Sequence, residues 1–226
     1  MPTPNAPVQA NSSARDCPPE APADCPICPR LVAYRAANAQ AHPDWFNGAA
    51  PSFGDAAARL LVVGLAPGRT GANRTGRPFT GDFAGVLLYE TLIKLGFAQG
   101  RYEARPDDGL RLVDCMITNA VRCAPPGNKP ETVEEANCRP FLTSRIAALP
   151  NLKVIVTLGD VSRRNVLRAL GLKASAGVAG HGSEFQAGPY TVLNSYHCSR
   201  LNTNTGRLTA PMFEAVFERA RQLIDA

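Results

Sequence analysis

The sequence predicts an α/β fold built on an open, mostly parallel sheet of four strands with helices on both faces. Short apolar runs alternate about four times with longer segments of helical periodicity, a pattern typical of strand–helix units around a parallel sheet. One of the runs is apolar throughout and ends in glycine, as buried parallel strands do. The chain has 226 residues, enough for one sizeable α/β domain or two small ones.

The first 24 residues are predicted to be a disordered tail. They are rich in Pro, Ala, Ser and Asn, and hardly any of them is a bulky apolar residue. One folded domain would then occupy residues 25–226. No apolar run approaches the roughly 20 residues of a membrane span, and no apolar stretch follows the N-terminus as in a secretory signal. We therefore expect no membrane partner and a cytoplasmic location.

The first half of the folded region supplies two helices and two strands. Leu31–Gln40 is a short helix candidate, and Arg59–Gly64 is the continuous apolar run that indicates the first strand. Phe83–Leu95 has apolar residues at helical spacing. Leu112–Thr118 is predicted to be the second strand.

The second half continues the alternation. Thr132 and Glu135 form a capping box that starts a helix. Pro140 is expected to restart it as a second helix, because proline suits a first helical turn. The remaining elements are strand Lys153–Leu158, helix Val161–Leu170, strand Tyr190–Asn194 and a last helix from about Thr209 with Pro211 in its first turn.

Function is expected at the carboxyl ends of the strands, where open parallel sheets bind their ligands. The segments that follow the strands are Gly64–Asp82, Asn119–Pro130, Gly159 and Asn194–Thr209. Three of the four are unusually polar and rich in turn-forming residues. None has the GxGxxG pattern of dinucleotide binding or the GK[ST] of a P-loop, which argues against a nucleotide cofactor.

Four of the seven cysteines point to a metal site. Cys25 and Cys28 form a CxxC, and Cys123 and Cys138 lie in polar loop and helix-start positions with fourteen residues between them. A redox CxxC would normally open a helix after a thioredoxin-like strand, whereas this one follows the tail. A four-thiolate site is therefore favoured, and four thiolates suit either zinc or an iron–sulfur cluster. Cys115, in the middle of a strand, is predicted to be an inert buried thiol.

Three polar-loop residues are candidates for ligand contact, and the first two have a structural alternative. Phe79 is a lone aromatic residue in a glycine-rich loop, either a core residue or a surface on which a base stacks. Asn119 ends the second strand, where it either forms a turn or reads a base edge with its adjacent donor and acceptor. His197 is the one histidine at a strand carboxyl end, where it could donate to a developing anion.

The charge balance permits a nucleic-acid partner without requiring one. The chain has 24 basic and 19 acidic residues, a net charge of +5, and this mild excess is compatible with many solvated surfaces.

Taken together, the motifs resemble the iron–sulfur uracil-DNA glycosylases, and most closely their family 5 (UDGb-type) branch. The resemblance covers nearly everything from Cys25 to the last helix. It rests on Gly64–Gly68, Asn73–Asp82, Asn119–Cys123, Asn128–Pro130, His197–Ser199 and Asn202–Thr209.

The resemblance implies a three-layer α/β/α sandwich that acts as a monomer on DNA containing uracil or other deaminated bases. Its metal centre would be a 4Fe–4S cluster rather than zinc. The implied cluster ligands are Cys25, Cys28, Cys123 and Cys138.

The family also implies roles for the loop residues. Asp82 and His197 would be catalytic, the carboxylate stabilising charge on the sugar and the imidazole charge on the base. The implied substrate-binding residues are Gly64, Ala66, Phe79, Asn119, Arg200 and Leu201. The enzyme would flip the damaged nucleotide out of the stack, with Leu201 as a wedge in the minor groove.

One departure from the family pattern bears on activity. The family's histidine is usually followed by Pro, and here Cys198 takes that place, which removes a fixed φ from the loop that aims His197. This substitution supports the alternative of a non-catalytic iron–sulfur DNA-binding protein of the same fold. Another rival is a cytosolic redox protein that uses Cys25 and Cys28. A metal-dependent hydrolase is disfavoured, since no His-rich or paired-carboxylate ligand set occurs.

Overall fold

The protein, a computed structural model, is described for residues 17–226. In that range it has eight strands and seven α-helices. The strands are β1 (Phe53–Gly54), β2 (Leu60–Gly64), β3 (Ala98–Gln99), β4 (Arg111–Leu112), β5 (Cys115–Asn119), β6 (Val154–Leu158), β7 (Glu184–Ala187) and β8 (Tyr190–Ser195). The helices are α1 (Pro29–Ala41), α2 (Ala72–Thr75), α3 (Phe83–Lys94), α4 (Thr132–Ala147), α5 (Asp160–Ala169), α6 (Arg200–Asn204) and α7 (Ala210–Asp225).

The central sheet has six strands in the order β1-β5-β2-β6-β8-β7. Its four middle strands are parallel and are the four predicted from the apolar runs. Every residue of β2, β5 and β6 is buried, because helices cover both faces of the sheet. The prediction of a mostly parallel sheet is confirmed.

The predicted number of strands is wrong. The sheet has six strands, whereas four were predicted. β1 pairs antiparallel with β5, and β7 pairs antiparallel with β8. Neither edge strand contains an apolar run from which it could be predicted. β1 has only two residues, and the first three positions of β7 alternate between exposed and partly buried. Antiparallel edge strands on a parallel sheet are common.

Two apolar layers join the sheet to its helices. On one face α3 and α7 pack together and α7 contacts β6 and β8, while on the other α4 and α5 pack together and α5 contacts β2 and β6. The buried stripe of α7 includes Phe213, Phe217 and Ala220, at the spacing of a helix face. The predicted α/β/α layering is confirmed. None of the helices in residues 17–226 is long and apolar enough to span a membrane.

Helix α4 differs from its prediction at both its start and its middle. Its N-cap is Glu131, which forms a capping box with Glu134, so the predicted box of Thr132 and Glu135 is one residue out of register. The helix also continues through Pro140 instead of restarting there. Proline removes one helical hydrogen bond, but burial of the flanking helix surface stabilises the continuous form, since helices in proteins depend mainly on packing.

The segment just before the predicted domain boundary at Cys25 contacts the folded domain. Residues 1–16 of the predicted tail lie outside the described residues, whereas residues 17–24 pack against the fold. Ala21 is buried, and the Glu20 carboxylate accepts hydrogen bonds from Arg122 at 2.9 Å and from Arg145. Arg122 is 1% exposed, so Glu20 supplies the counter-charge that a buried guanidinium requires.

Candidate functional site

The carboxyl ends of β2 and β5 bring three predicted site residues into contact. Gly64 and Asn119 are register partners at the ends of these strands. A methyl group on Gly64 would clash with Oδ1 of Asn119 and would lie 2.6 Å from Cζ of Phe79. Glycine at this strand end therefore allows the Phe79 ring and the Asn119 amide to lie against the backbone, the close approach for which glycine is suited.

Asn119 has a buried acceptor with no partner. The residue is 3% exposed, and its Oδ1 accepts no hydrogen bond from any group in the described part of the chain. A buried carbonyl oxygen without a donor is costly unless a ligand satisfies it. The site is therefore suited to a ligand that presents an N–H group to Asn119.

Phe79 is held in a conformation that bulky residues rarely adopt. Its φ is +54°, in the left-handed region, where such strain persists only if neighbouring contacts enforce it. The Tyr102 hydroxyl donates to the Phe79 carbonyl at 3.0 Å, and the Tyr89 hydroxyl donates to the Pro78 carbonyl at 2.7 Å. Phe79 is 5% exposed, and its ring lies against Gly64 and beside the His197 ring.

A buried ion pair that was not predicted from the sequence supports the loop that carries Phe79. Arg77 binds both carboxylate oxygens of Asp108 at 2.7 and 2.8 Å, and it donates to the Thr80 hydroxyl at 2.7 Å. Hydrogen bonding from Arg77 holds the pKa of Asp108 well below its usual value. The guanidinium also lies 5.2–5.9 Å from the centres of three aromatic rings, those of Phe53, Tyr89 and Tyr102. This pair anchors the loop that carries Phe79.

Asp82 caps helix α3 and points its second oxygen at a glycine-rich loop. Its Oδ1 accepts from the backbone N–H of Gly85 at 3.2 Å. A methyl group on Gly68 would lie 3.1 Å from Oδ2, and one on Gly71 would clash with it. Burial raises the pKa of the Asp82 carboxyl. The carboxylate is thus fixed by a helix terminus and pressed against backbone that only glycine permits.

His197 follows β8 and places its ring beside Phe79. The two ring centres are 6.0 Å apart with an interplanar angle of 30°. Asn202 donates to the His197 carbonyl at 2.8 Å, which fixes the backbone, whereas within residues 17–226 no hydrogen bond reaches the imidazole. Burial lowers the pKa of the imidazole, so the ring is neutral at neutral pH and one nitrogen carries a proton it can donate.

Cys198 is packed in the core. The residue is 0% exposed and belongs to the apolar layer that includes Leu88 and Phe213. Burial, and secondarily the nearby Asp82 carboxylate, raises the pKa of the thiol far above its usual value. A thiol that remains protonated is a small apolar residue rather than a nucleophile.

The structure places Arg200 and Leu201 on the surface, apart from the buried group around Phe79. Both lie on the short helix α6, which Ser199 caps by accepting from the Asn202 N–H at 3.5 Å. Leu201 is 72% exposed, and the Arg200 guanidinium lies 5.1 Å from the centre of the Phe83 ring.

The four predicted ligand cysteines line one small cavity between α1, α4 and the segment after β5. The cavity is lined by Cys25, Cys28, Cys123 and Cys138 together with neighbouring apolar side chains. Ala66, predicted to bind substrate, packs against this same group. The loop that follows β2 therefore lies next to the cysteine cavity.

The sulfur atoms of this cavity receive N–H donors, as thiolates in metal centres commonly do. The Arg122 backbone N–H donates to Cys138 at 3.2 Å, Arg35 to Cys123 at 3.5 Å, and Asn137 to Cys28 at 3.7 Å. In residues 17–226 no three His, Cys, Asp or Glu side chains are close enough to hold a single metal ion. The chemistry of the four cysteine donors that line the cavity suits a metal centre with thiolate ligands.

The chain is similar in sequence to a known protein family. A sequence model described as "Uracil DNA glycosylase superfamily" matches residues 51–221. The Type-5 uracil-DNA glycosylase of Thermus thermophilus is 43% identical over 206 residues, covering 88% of this chain and 93% of that protein. The Type-5 uracil-DNA glycosylase of Pyrobaculum aerophilum is 40% identical, covering 87% of this chain and 88% of that protein. A Type-4 uracil-DNA glycosylase of the same organism is 35% identical over 67% of this chain and 63% of that protein.

Proposed function

Because the chain belongs to the uracil DNA glycosylase superfamily, we propose that it is a type-5 uracil-DNA glycosylase, which hydrolyses the N-glycosidic bond of uracil in DNA and leaves an abasic site. The observation that carries the proposal is the meeting of Phe79, Asn119 and the proton-bearing ring of His197 at one edge of the sheet. The alternative of a non-catalytic DNA-binding protein is not favoured, since the relatives named above are glycosylases.

Base recognition follows from the unpaired amide of Asn119. Uracil presents an N–H donor at N3 next to a carbonyl acceptor at O4. The Oδ1 of Asn119, which lacks a donor within the described residues, accepts from N3, and its Nδ2 donates to O4. The target nucleotide must leave the helical stack to reach this pocket, where Phe79 stacks on it. Gly64 and Ala66 contribute backbone to the same edge.

Bond cleavage separates charge, and two side chains are positioned to stabilise it. When the bond between C1′ and the base nitrogen breaks, its electron pair stays with the base and the sugar becomes cationic. His197 donates a hydrogen bond to the base anion, and Asp82 stabilises the sugar cation. Water then adds to C1′ and releases a proton. One preorganised donor of this kind contributes about 2.7–4 kcal/mol to the transition state.

The role of Asp82 can be tested by its pH dependence. Because burial raises the pKa of this carboxyl, we expect the excision rate to fall as the pH drops through that raised value and the charge is lost. Asp82→Asn should lower the rate about 10²-fold and remove this acidic limb of the profile. Asparagine is also a good N-cap, so α3 should keep its start. Single-turnover rates of both proteins across the acidic range measure the effect.

His197 also titrates on the acidic side, and the asparagine variant separates the two groups. An acidic limb that persists unchanged in Asp82→Asn would assign the limb to His197. A variant with the full wild-type rate would remove Asp82 from the catalytic machinery.

We further propose that Cys25, Cys28, Cys123 and Cys138 hold a 4Fe–4S cluster. Bound there, the cluster would serve as a structural cross-link and would require all four thiols to lose their protons. Burial raises the pKa of Cys123 to about 11 and that of Cys138 to about 12, so these thiols stay protonated until metal binds. The cross-link would tie the start of α1 to the segment after β5 and to α4, beside Ala66.

The cluster proposal predicts the effect of Cys138→Ser. Loss of one thiolate should abolish most iron and acid-labile sulfide. A ligand at about 1,000 times its Kd stabilises the fold by about 4 kcal/mol, and each kcal/mol shifts Tm by about 2–4 °C at this size, so Tm should fall by roughly 10 °C. Elemental analysis and thermal unfolding measure both effects.

Cys17→Ser is the matched control, because Cys17 packs beside the same group without lining the cavity. It should keep its iron. A wild-type protein that binds zinc and no iron, or a Cys17→Ser protein that loses as much iron as Cys138→Ser, would contradict the proposed cluster and ligand set.

We place the enzyme in the cytoplasm as a monomer that repairs DNA containing uracil. Hydroxymethyluracil, hypoxanthine and ethenocytosine are further candidate substrates, since the pocket has few side-chain hydrogen-bonding groups that would exclude them.

The test of the function is single-turnover cleavage of a labelled duplex that contains one uracil, followed by alkali to break abasic sites. Strand scission at the uracil position establishes the glycosylase. Tight binding without scission, for uracil and hypoxanthine alike, would instead establish a DNA-binding protein without turnover.

A further inference from the structure

Four residues form an exposed apolar and cationic surface between α3 and α6, here named the wedge face: Phe83, Val86, Arg200 and Leu201. The three apolar members are 39%, 43% and 72% exposed, in chain order. The Arg200 guanidinium lies 5.1 Å from the centre of the Phe83 ring, within the range of a cation–π interaction. Exposed apolar residues that are grouped in this way commonly mark a binding surface.

The residues of the wedge face are neighbours, along the chain, of the two proposed catalytic residues. Phe83 directly follows Asp82 at the first position of α3, and Val86 lies one turn further on the same side of the helix. Arg200 and Leu201 begin the helix that follows His197. The two elements that carry the proposed catalytic groups therefore also carry the wedge face.

Phe83 does not contribute to the apolar core in the described part of the chain. Unlike Phe79 and Phe213, it belongs to none of the apolar clusters in residues 17–226. Its ring contact there is with Arg200, which has no hydrogen bond or ion pair to an acidic side chain in the described chain. A cation without a counter-charge beside an aromatic ring is suited to a ligand that has both negative charge and a flat apolar surface.

A nucleotide of a DNA strand has both of these properties, since its base is flat and apolar on its faces and its phosphate is negatively charged. When a nucleotide flips out of a duplex, its former partner on the complementary strand loses its hydrogen bonds and part of its stacking. An aromatic side chain can stack on such a base, and an arginine can contact the adjacent phosphate. In single-stranded DNA no partner base exists.

Given the proposed function, we propose that the wedge face binds the unpaired base of the complementary strand, with Phe83 stacking on it, and that Phe83 thereby sets a preference for uracil in double-stranded DNA. Leu201 enters the stack from which the uracil has left, and Arg200 orients the Phe83 ring and neutralises phosphate charge. Phe83 is thus a specificity-determining residue that does not touch the base being removed.

The first experiment compares one uracil sequence as a duplex and as a single strand. Under conditions that measure kcat/KM, Phe83→Ala should lose about tenfold on the duplex and less than about twofold on the single strand. Val133→Ala, which removes another exposed side chain (58% exposed, on α4), is the control and should change neither. Equal losses on both substrates, or no loss on the duplex, would overturn the proposal.

A second variant and a binding signal separate stacking from misfolding. Phe83→Leu keeps apolar bulk without the ring, so it should lose part of the duplex preference. A duplex with 2-aminopurine opposite a 2′-fluorinated deoxyuridine, which resists cleavage, reports stacking by fluorescence quenching. The wild type should change this fluorescence more than Phe83→Ala does at saturating protein, and an identical signal would overturn the proposal.

The two proposals fail in different ways. A wild-type protein that excises uracil from neither substrate contradicts the proposed function. A wild-type protein that excises uracil from both, with Phe83→Ala reduced on neither, contradicts only the role of the wedge face.

Discussion

Replacement of His197 by alanine is expected to lower the single-turnover rate of uracil excision about 10²- to 10³-fold. The imidazole is neutral because burial lowers its pKa, and within residues 17–226 no protein group competes for its proton. It can therefore donate to the base anion with little reorganisation. Binding of uracil-containing DNA should change far less than the rate, because the hydrogen bond strengthens only as charge develops on the base.

His181→Ala is the matched control for this prediction. His181 stacks on Tyr196, the residue before His197, with ring centres 5.2 Å apart, and its Nε2 is 3.2 Å from the Met212 carbonyl. Its removal deletes one imidazole from the same region, together with the hydrogen bond that the Tyr196 N–H donates to Nδ1 at 3.2 Å, but it removes no member of the proposed pocket. If the two variants lost activity equally, the effect of His197→Ala would have to be assigned to disruption of the loop rather than to a lost donor.

Replacement of Arg77 by methionine is expected to destabilise the protein by about 3 kcal/mol, because it leaves the buried Asp108 carboxylate without its partner. The side chains of the pair are 6% and 0% exposed. At this chain length such a loss lowers Tm by roughly 10 °C. Urea unfolding, followed by fluorescence and circular dichroism, gives the free energy of unfolding.

Two further variants identify the cause of that loss. Arg101→Ala removes an arginine whose side chain is 86% exposed and whose contact with Glu103 is 3.8 Å long, so stability should change by less than about 0.5 kcal/mol. Arg77→Met combined with Asp108→Asn should recover part of the loss, since no buried charge then remains unpaired. A single variant as stable as the wild type would contradict the assignment.

The pH dependence of this pair has a defined sign. Because Arg77 lowers the pKa of Asp108 in the folded state, the stabilisation is complete above the unfolded-state pKa and is lost as the pH falls below it.

The sheet core and the position of the site could be predicted because their signals are local. The run Arg59–Gly64 is apolar at every position of the strand and ends in the glycine that the site requires. Asn119 is the last residue of the buried strand β5, and His197 lies two residues after the end of β8. In a parallel sheet such ends meet at one edge, so chain order alone brings these residues near one another.

The support beneath the site could not be predicted, because it joins residues that are distant in sequence. Asp108 lies 31 residues after Arg77, and nothing in the intervening sequence, which includes α3 and β3, marks the two residues as partners. Nothing in the sequence distinguishes Phe79 from other aromatic residues in loops. The structure shows that the Tyr102 hydroxyl donates a hydrogen bond to its carbonyl. Pro140 indicates a helix start by every local rule, and only the burial of α4 on the sheet explains why the helix continues.

The contacts of Glu20 impose an order on how the polypeptide matures during synthesis. Glu20 is synthesised before its arginine partners, because Arg122 and Arg145 follow it by 102 and 125 residues. Glu20 can meet the Ser52 N–H, which donates to it at 2.9 Å, well before either arginine is made. Its charge is balanced only when the later arginines close a loop whose entropic cost grows slowly with its length. Cys138 emerges in the same late portion. The side of the molecule that carries the cysteines is therefore completed only after Arg145 has been made, and the ion pairs of Glu20 are among the last contacts to form there.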